Sequence, residues 1–279
     1  MARYKVILAY DGTQFRGYQR QAHARTVQGV VETALSGLGW SEKSIVAAGR
    51  TDTGVHAAGQ VIAFDLDWRH PVEELRSAIN ASLPQDVAVQ SIEVAVENFH
   101  PRYDARSRTY QYRIYCQESR LPLLERHAWR VWPPVDLAIL GQAAACLVGT
   151  YDFAAFGTPP RLGSHTVRTV YQATWTASGV ELIFEISADA FLFRMVRRLV
   201  SYQVEVGQGR RPKEELESLL ATPPGGLVQG LAPAHGLTLV KVNYPAEART
   251  LEMRRNQKKR RPIRLDESGE GERGKIILS

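Results

Sequence analysis

Residues 49–60 read GRTDTGVHAAGQ and set one carboxylate, Asp52, among Arg50, two threonines, three glycines and His56. A lone acid in such a loop has three chemical uses: nucleophile, general base, or acceptor for the N–H groups of its own turn. The first two require a carboxylate that stays ionised and is aimed at a reactant. The third makes the stretch an Asx-type turn with no further meaning, and composition alone leaves all three open. Gly49, Gly54 and Gly59 are available for positive φ or for close approach of a ligand. His56 has no neighbouring Cys, His or acidic pattern of ligand spacing, so it reads as a packed loop residue rather than a metal ligand.

Two further stretches bear on the choice. FHPRYDARSRTYQYRIY, residues 99–115, sets Arg102, Arg106 and Arg108 ahead of Tyr110 and Tyr112, which at a spacing of two share one face of a strand. Arginines beside exposed aromatics suit phosphate contacts and base stacking; equally, the tyrosines could be core and the arginines a solvated face. FLFRMVRRLV, residues 191–200, carries Arg194, Arg197 and Arg198 on an otherwise apolar helical pattern. Arg197, beside Met195 and Val196, reads as partly buried and would then need a carboxylate. Snorkelling from a surface helix is the alternative.

The elements that must position these groups follow a repeated rhythm. RYKVILAYD alternates as a strand, Thr26 is placed to cap the helix TVQGVVETALSGL, and SIVAA and QVIAFDLD flank the Asp52 loop as short apolar runs. PVEELRSAINASL reads as a helix with Pro71 at its first position and a Val72, Leu75, Ile79, Leu83 stripe; VAVQSIEVA alternates again. The second half runs strand (RTYQYRIYC), helix (PVDLAILGQAAACLVG), two strands around Ser178-Gly179, helix (FLFRMVRRLVSYQVEVG), helix (KEELESLLA) and strand (GLTLVKVNY). The expected fold is α+β: two ferredoxin-like, RRM-like halves sharing a mixed, mainly antiparallel sheet, with helices on one side and the active-site cleft between the halves. The expected division is residues 1–103, carrying the Asp52 loop, residues 104–246, and a charged, flexible tail over 247–279.

The whole chain narrows the function classes. It has 279 residues, 44% hydrophobic and 23% charged, as in an ordinary globular protein, and no apolar run long enough to span a bilayer. MARYKVILAYDGT lacks the regions of a signal peptide, and two cysteines, Cys116 and Cys146, make neither a disulfide framework nor a tetrahedral metal site. Both read as small buried hydrophobes, and a reducing cytoplasm is the expected location. From Arg254 onward there are nine basic and four acidic residues, a surplus of five in a net charge of +6, so the first 253 residues carry only +1. Any RNA-binding face on the body must therefore come from uneven placement of charge. For MRRNQKKRRPIR in the tail, added RNA affinity, another partner, and solubility remain equal readings.

These three stretches, in this order, resemble the TruA family of tRNA pseudouridine synthases. The likeness continues through YDGTQFRGYQRQ and TVQGVVE, LPQDVAV at 83–89, GTYDFAAF at 149–156 and APAHGLTLVKVNYP at 232–245, so it spans roughly residues 3 to 245. It implies isomerisation of uridine to pseudouridine in the anticodon stem-loop of tRNA, at tRNA positions 38, 39 and 40, with no metal and no cofactor. By the same resemblance Asp52 is the catalytic aspartate, Arg197 its ion-pair partner and Tyr110 the ring that stacks on the target uracil. Arg50 would help extrude the base, Arg102 and Arg108 would contact substrate, and the enzyme would be a homodimer gripping tRNA. An idle RNA-binding protein of the same fold and a carboxylate-dependent hydrolase are the competing classes. The first is opposed by the intact Asp52, Tyr110 and Arg197; the second would want a second acid, for which Asp11 and Asp152 read better as turn or cap residues. Tyr18, Asp104, Tyr151 and Ser201 depart from the commoner pattern, and the first three would be expected to alter RNA contacts.

Overall fold

A computed structural model of the chain describes residues 1–159, 163–223 and 225–245. The first half supplies β1 (Ala2–Tyr10), α1 (Val27–Ser36), β2 (Val46–Ala47), β3 (His56–Leu66), α2 (Val72–Ser82) and β4 (Val87–Val94). The second supplies β5 (Ser107–Tyr115), β6 (Trp129–Arg130), α3 (Leu137–Ala145), β7 (Gly149–Asp152), β8 (Val167–Ser178), β9 (Glu181–Ala188), α4 (Met195–Gly207), α5 (Lys213–Ala221) and β10 (Leu237–Asn243). Two helix starts are capped by side chains. The Thr26 hydroxyl accepts the Gly29 N–H at 3.3 Å, and the Asp136 carboxylate caps α3 through Ala138 and Ile139. Pro71 falls one place earlier than expected, at the cap of α2.

The strands of the described residues join one sheet whose main path is β4-β1-β3-β10-β5-β9-β8-β7. It is mainly antiparallel, with β10 parallel to β3 and β6 parallel to β5. The last strand of the described residues, β10, is therefore inserted at the centre, joining the first half's β3 to the second half's β5. Residues paired across strands point to the same face, so the pairs Tyr10–Ala57, Ala57–Leu239, Leu239–Tyr110, Tyr110–Ile186 and Ile186–Ala173 define one continuous row. Helices cover that face in both halves. Val31 and Leu35 of α1 and Leu75 and Ile79 of α2 share a cluster with Val6 and Leu8. Leu140 of α3, Leu199 of α4 and Leu216 of α5 share another with Tyr112 and Ile186. The opposite face carries cross-strand polar pairs instead: Arg3–Asp65, Lys5–Glu93, Gln111–Glu185 and Arg113–Glu181. The α+β sheet with helices on one side is the expected one.

Three local expectations need correction, and one element was not expected. Helix α4 begins at Met195 rather than Phe191, because the Phe193 N–H donates to the Thr158 carbonyl at 2.9 Å and holds the FLF segment sideways as an isolated bridge. GTYD forms an edge strand, β7, that its short apolar content did not announce. Cys116 and Cys146 are half-buried rather than core residues, and both are free thiols. His56 opens β3 and is buried, not a loop residue. The tail expected over 247–279 lies outside the described residues. No helix among the described residues is long and apolar enough to cross a membrane.

Candidate active site

The Asp52 loop joins β2 to β3, and its backbone is tied from several sides. The Thr51 hydroxyl lies 2.8 Å from the Tyr10 hydroxyl, the Gln60 amide donates to the Gly49 carbonyl at 3.0 Å, and the Tyr18 N–H donates to the Thr51 carbonyl at 3.1 Å. The Val55 N–H closes the turn onto the Asp52 carbonyl at 3.1 Å. Burial of Tyr10 pushes its phenol up to about 12, against hydrogen bonds from Thr51 and Gln60, so it serves this loop as a neutral hydroxyl. Two of the three glycines have a steric reason. Gly54 sits at φ 78°, and a Cβ on Gly59 would come within 2.3 Å of the Val240 carbonyl of β10. Gly49 has open space and needs neither.

With the backbone so anchored, the Asp52 side chain reaches across to the second half. Its Oδ2 accepts from Arg197 Nη1 at 3.1 Å, the two side chains being 21% and 12% exposed. Arg197 Nε donates to the Ala232 carbonyl at 2.7 Å, and the Ala232 N–H returns a bond to the Arg197 carbonyl. The guanidinium is held at two edges in the first turn of α4, directly after Arg194, a non-glycine residue at φ 62°. The partial burial and the carboxylate partner are those expected for Arg197. Arg194 is exposed, its guanidinium 4.7 Å from the Phe193 ring.

Tyr110 lies where the two halves meet, half-buried and in contact with both core clusters. The Phe191 ring packs against it in a T-shaped contact, ring centres 5.0 Å apart. Burial pushes the Tyr110 phenol well up, the Asp52 charge adds to that, and Arg108 opposes it. Tyr112, two residues on, is fully buried and donates its hydroxyl to the Pro233 carbonyl at 2.7 Å; of the two tyrosines, it is the core one. The arginines divide similarly. Arg50 and Arg102 are exposed, the latter 5.9 Å from the ring of the exposed Tyr103. Arg108 turns inward, donating to the carbonyls of Arg102, Ala105 and Asp189 and, at 3.2 Å, to that of Ala48 beside the Asp52 loop. Its donors tie strands together.

Several other residues resolve. Asp11 caps a short turn through Thr13, and Asp152 accepts from the Ala154 N–H, so neither is a second acid for Asp52. Tyr18 is buried and therefore not an RNA contact; Asp104 closes a turn on the His100 N–H; the Tyr151 ring lies over Gly149. Asp11, His56 and His127 bring ligand-type atoms within 4.8 Å of one another. A metal does not fit there, because both ring nitrogens of His56 are engaged: Nδ1 accepts the Gly12 N–H at 3.0 Å, and Nε2 lies 3.1 Å from the His235 carbonyl. His56 and the Ala232–Gly236 segment were the parts of the site that residue type did not signal. That segment stands out only as part of APAHGLTLVKVNYP, with no chemistry of its own.

An arginine-held carboxylate beside a half-buried aromatic ring is equipped for nucleophilic or proton-transfer chemistry on a flat substrate, and the wider likeness specifies which. A family described as tRNA pseudouridine synthase matches residues 6–104 and 143–245. The chain is 42% identical over 247 residues to the tRNA pseudouridine synthase A of Chloroflexus aurantiacus, covering 86% of this chain and 88% of that one. It is 41% identical over 251 residues to that of Thermotoga neapolitana (88% and 100%), and 38% identical over 247 residues to that of Streptococcus equi subsp. equi (88% and 99%). The protein is thus an isomerase of the pseudouridine synthase class. It belongs to the tRNA pseudouridine synthase family, which isomerises uridine to pseudouridine in tRNA.

Proposed function

We propose that Asp52 is the reacting carboxylate of this isomerase and that the target uridine lies in the anticodon stem-loop of tRNA, at tRNA positions 38, 39 and 40. The observation that carries the assignment is the Arg197–Asp52 pair at 3.1 Å; Tyr110, whose phenol feels the Asp52 charge, lies at the junction of the two halves. In the reaction the N-glycosidic bond breaks, the uracil turns in place, and its C5 bonds to the sugar, C5 losing a proton and N1 gaining one. Nothing is oxidised and no water is consumed, so a carboxylate suffices without a cofactor. Addition of Asp52 to the base, attack on the sugar and abstraction of a sugar proton all fit this arrangement.

A uridine in a stem must be flipped out, at a cost of a few kcal/mol. Tyr110 recovers part of that by stacking on the uracil, worth about 1–3 kcal/mol. Arg50, exposed two residues before Asp52, assists extrusion, and Arg102 contacts the phosphate backbone beside Tyr103. Arg108 serves the substrate indirectly, by tying the Arg102 turn and Ala48 to β5. Residues 1–103 and 104–246 act as the two walls of the cleft, and a cytoplasmic homodimer grips one tRNA. The deciding experiment incubates the purified protein with unmodified tRNA transcript, without added cofactor, and maps pseudouridine by position. Product at 38–40 that disappears in Asp52→Asn supports the reading; product elsewhere, or in Asp52→Asn, overturns the corresponding part.

A further inference from the structure

Asp52 and Arg197 approach the site from different halves, and something must set the distance between them. Arg197 is fixed to the Ala232 carbonyl and amide, and the adjacent Pro233 carbonyl takes the Tyr112 hydroxyl. Three residues on from Ala232, the His235 carbonyl faces His56 Nε2 at 3.1 Å. His56 follows Val55, whose N–H closes the turn carrying Asp52. The other ring nitrogen, Nδ1, accepts the Gly12 N–H at 3.0 Å, and Gly12 packs so tightly that an added Cβ would lie 2.1 Å from the Val55 carbonyl. Both sides of the ion pair therefore end on one short segment, Ala232–Gly236, Arg197 at one end and His56 at the other.

The geometry points to His56 as a positioning residue for the isomerisation: as a neutral imidazole donating from Nε2 to the His235 carbonyl and accepting at Nδ1 from Gly12, it holds the Asp52 turn in register with Arg197. This rests on the reading of Asp52 as the reacting carboxylate. The tautomer follows from the partners, since a backbone N–H at Nδ1 needs a lone pair and a carbonyl at Nε2 needs a proton. The groups facing the ring are Asp11, with Oδ1 3.2 Å from Nδ1, the His127 ring at 4.7 Å, and His235 on the segment itself. Burial holds His56 below its usual pKa, against the pull of Asp11, which agrees with a neutral ring. A gap of about 1 Å between reacting groups costs up to about 100-fold in rate.

The test separates the two bonds. His56→Gln places an amide donor near the Nε2 position and keeps the link to His235; His56→Asn places an acceptor near Nδ1 and keeps only the link to Gly12. Single-turnover and steady-state isomerisation are measured for both, with tRNA binding used to count folded protein. The expected result is a kcat about 10- to 100-fold lower for His56→Asn than for His56→Gln, with little change in KM for tRNA. Equal kcat for the two variants, or a loss confined to KM, overturns the proposal. Asp52→Asn in the same assay tests the underlying reading separately: activity there removes the premise, whereas an inactive Asp52→Asn with equal His56 variants removes only the positioning role. Should neither His56 variant fold, nitrogen-15 shifts of the parent's histidines decide. A neutral Nε2–H tautomer for His56 at about pH 6 supports the proposal; an imidazolium or an Nδ1–H tautomer there overturns it.

Discussion

Arg197 and Asp52 stand 145 positions apart in the chain and meet at 3.1 Å, with the Arg197 Nε already committed to the Ala232 carbonyl at 2.7 Å. The guanidinium cannot follow the carboxylate if it moves, because one edge is anchored to backbone. Asp52 is thus oriented by a fixed charge rather than by a mobile counter-ion.

Replacing Asp52 with Asn keeps the shape and removes the charge. Isomerisation should fall by more than about 10,000-fold, the scale seen when a reacting group is lost. Tritium release from uridine C5 measures it, and tRNA affinity and thermal midpoint should stay close to the parent's.

Arg197→Lys should fail despite retaining the charge, since one ammonium on a flexible stem cannot serve both Ala232 and Asp52 as the planar fork does. We expect kcat to drop about 100-fold and unfolding to cost about 1–3 kcal/mol less, measured by kinetics and urea denaturation.

Tyr110 is half-buried at the junction of the two halves, and burial keeps its phenol neutral. Tyr110→Leu should lose about 1–3 kcal/mol of transition-state stabilisation in kcat/KM, and Tyr110→Phe should retain most of it. A Phe variant as poor as the Leu variant would assign the role to the hydroxyl instead.

Gly59→Ala tests the close approach of β3 to β10. With the Val240 carbonyl 2.3 Å from the new methyl, the two central strands must separate. A stability loss of about 1–3 kcal/mol is expected, read from denaturant midpoints.

The His56 ring makes a signed prediction for pH. Its folded pKa lies below the usual 6.5, chiefly through burial. The unfolded chain therefore binds the proton more readily, and the stability from neutral His56 is complete above that usual value and lost as pH falls through the folded one. Thermal midpoints taken between about pH 7.5 and about pH 5 should fall more steeply for the parent than for His56→Gln.

Local signals accounted for much of the fold. Thr26 marked the start of α1 because a capping oxygen acts within three residues, and the buried alternation of β1 followed from the strand's period of two. FLF resisted the same reasoning. Its apolar spacing fits a helix, yet the Thr158 carbonyl claims the Phe193 N–H and delays α4 to Met195.

For the site, residue types raised Asp52, the Tyr110–Tyr112 pair and Arg197 as candidates, because an isolated carboxylate, strand tyrosines behind arginines and an arginine among apolar neighbours each raise a chemical demand; the family resemblance is what assigned the roles to Asp52, Tyr110 and Arg197. Which demands are met by which partners was decided only in three dimensions. Tyr110 and Tyr112 occupy one strand face two residues apart, yet one is left at the junction and the other is sealed under Pro233. His56 carries no sequence mark of its link to His235, since both bonds of a buried imidazole go to backbone groups, and backbone groups are the same at every position. Insertion of β10 between β3 and β5 brings that backbone beside the Asp52 turn. Strand order is set by the packing of the whole sheet, which no local stretch encodes.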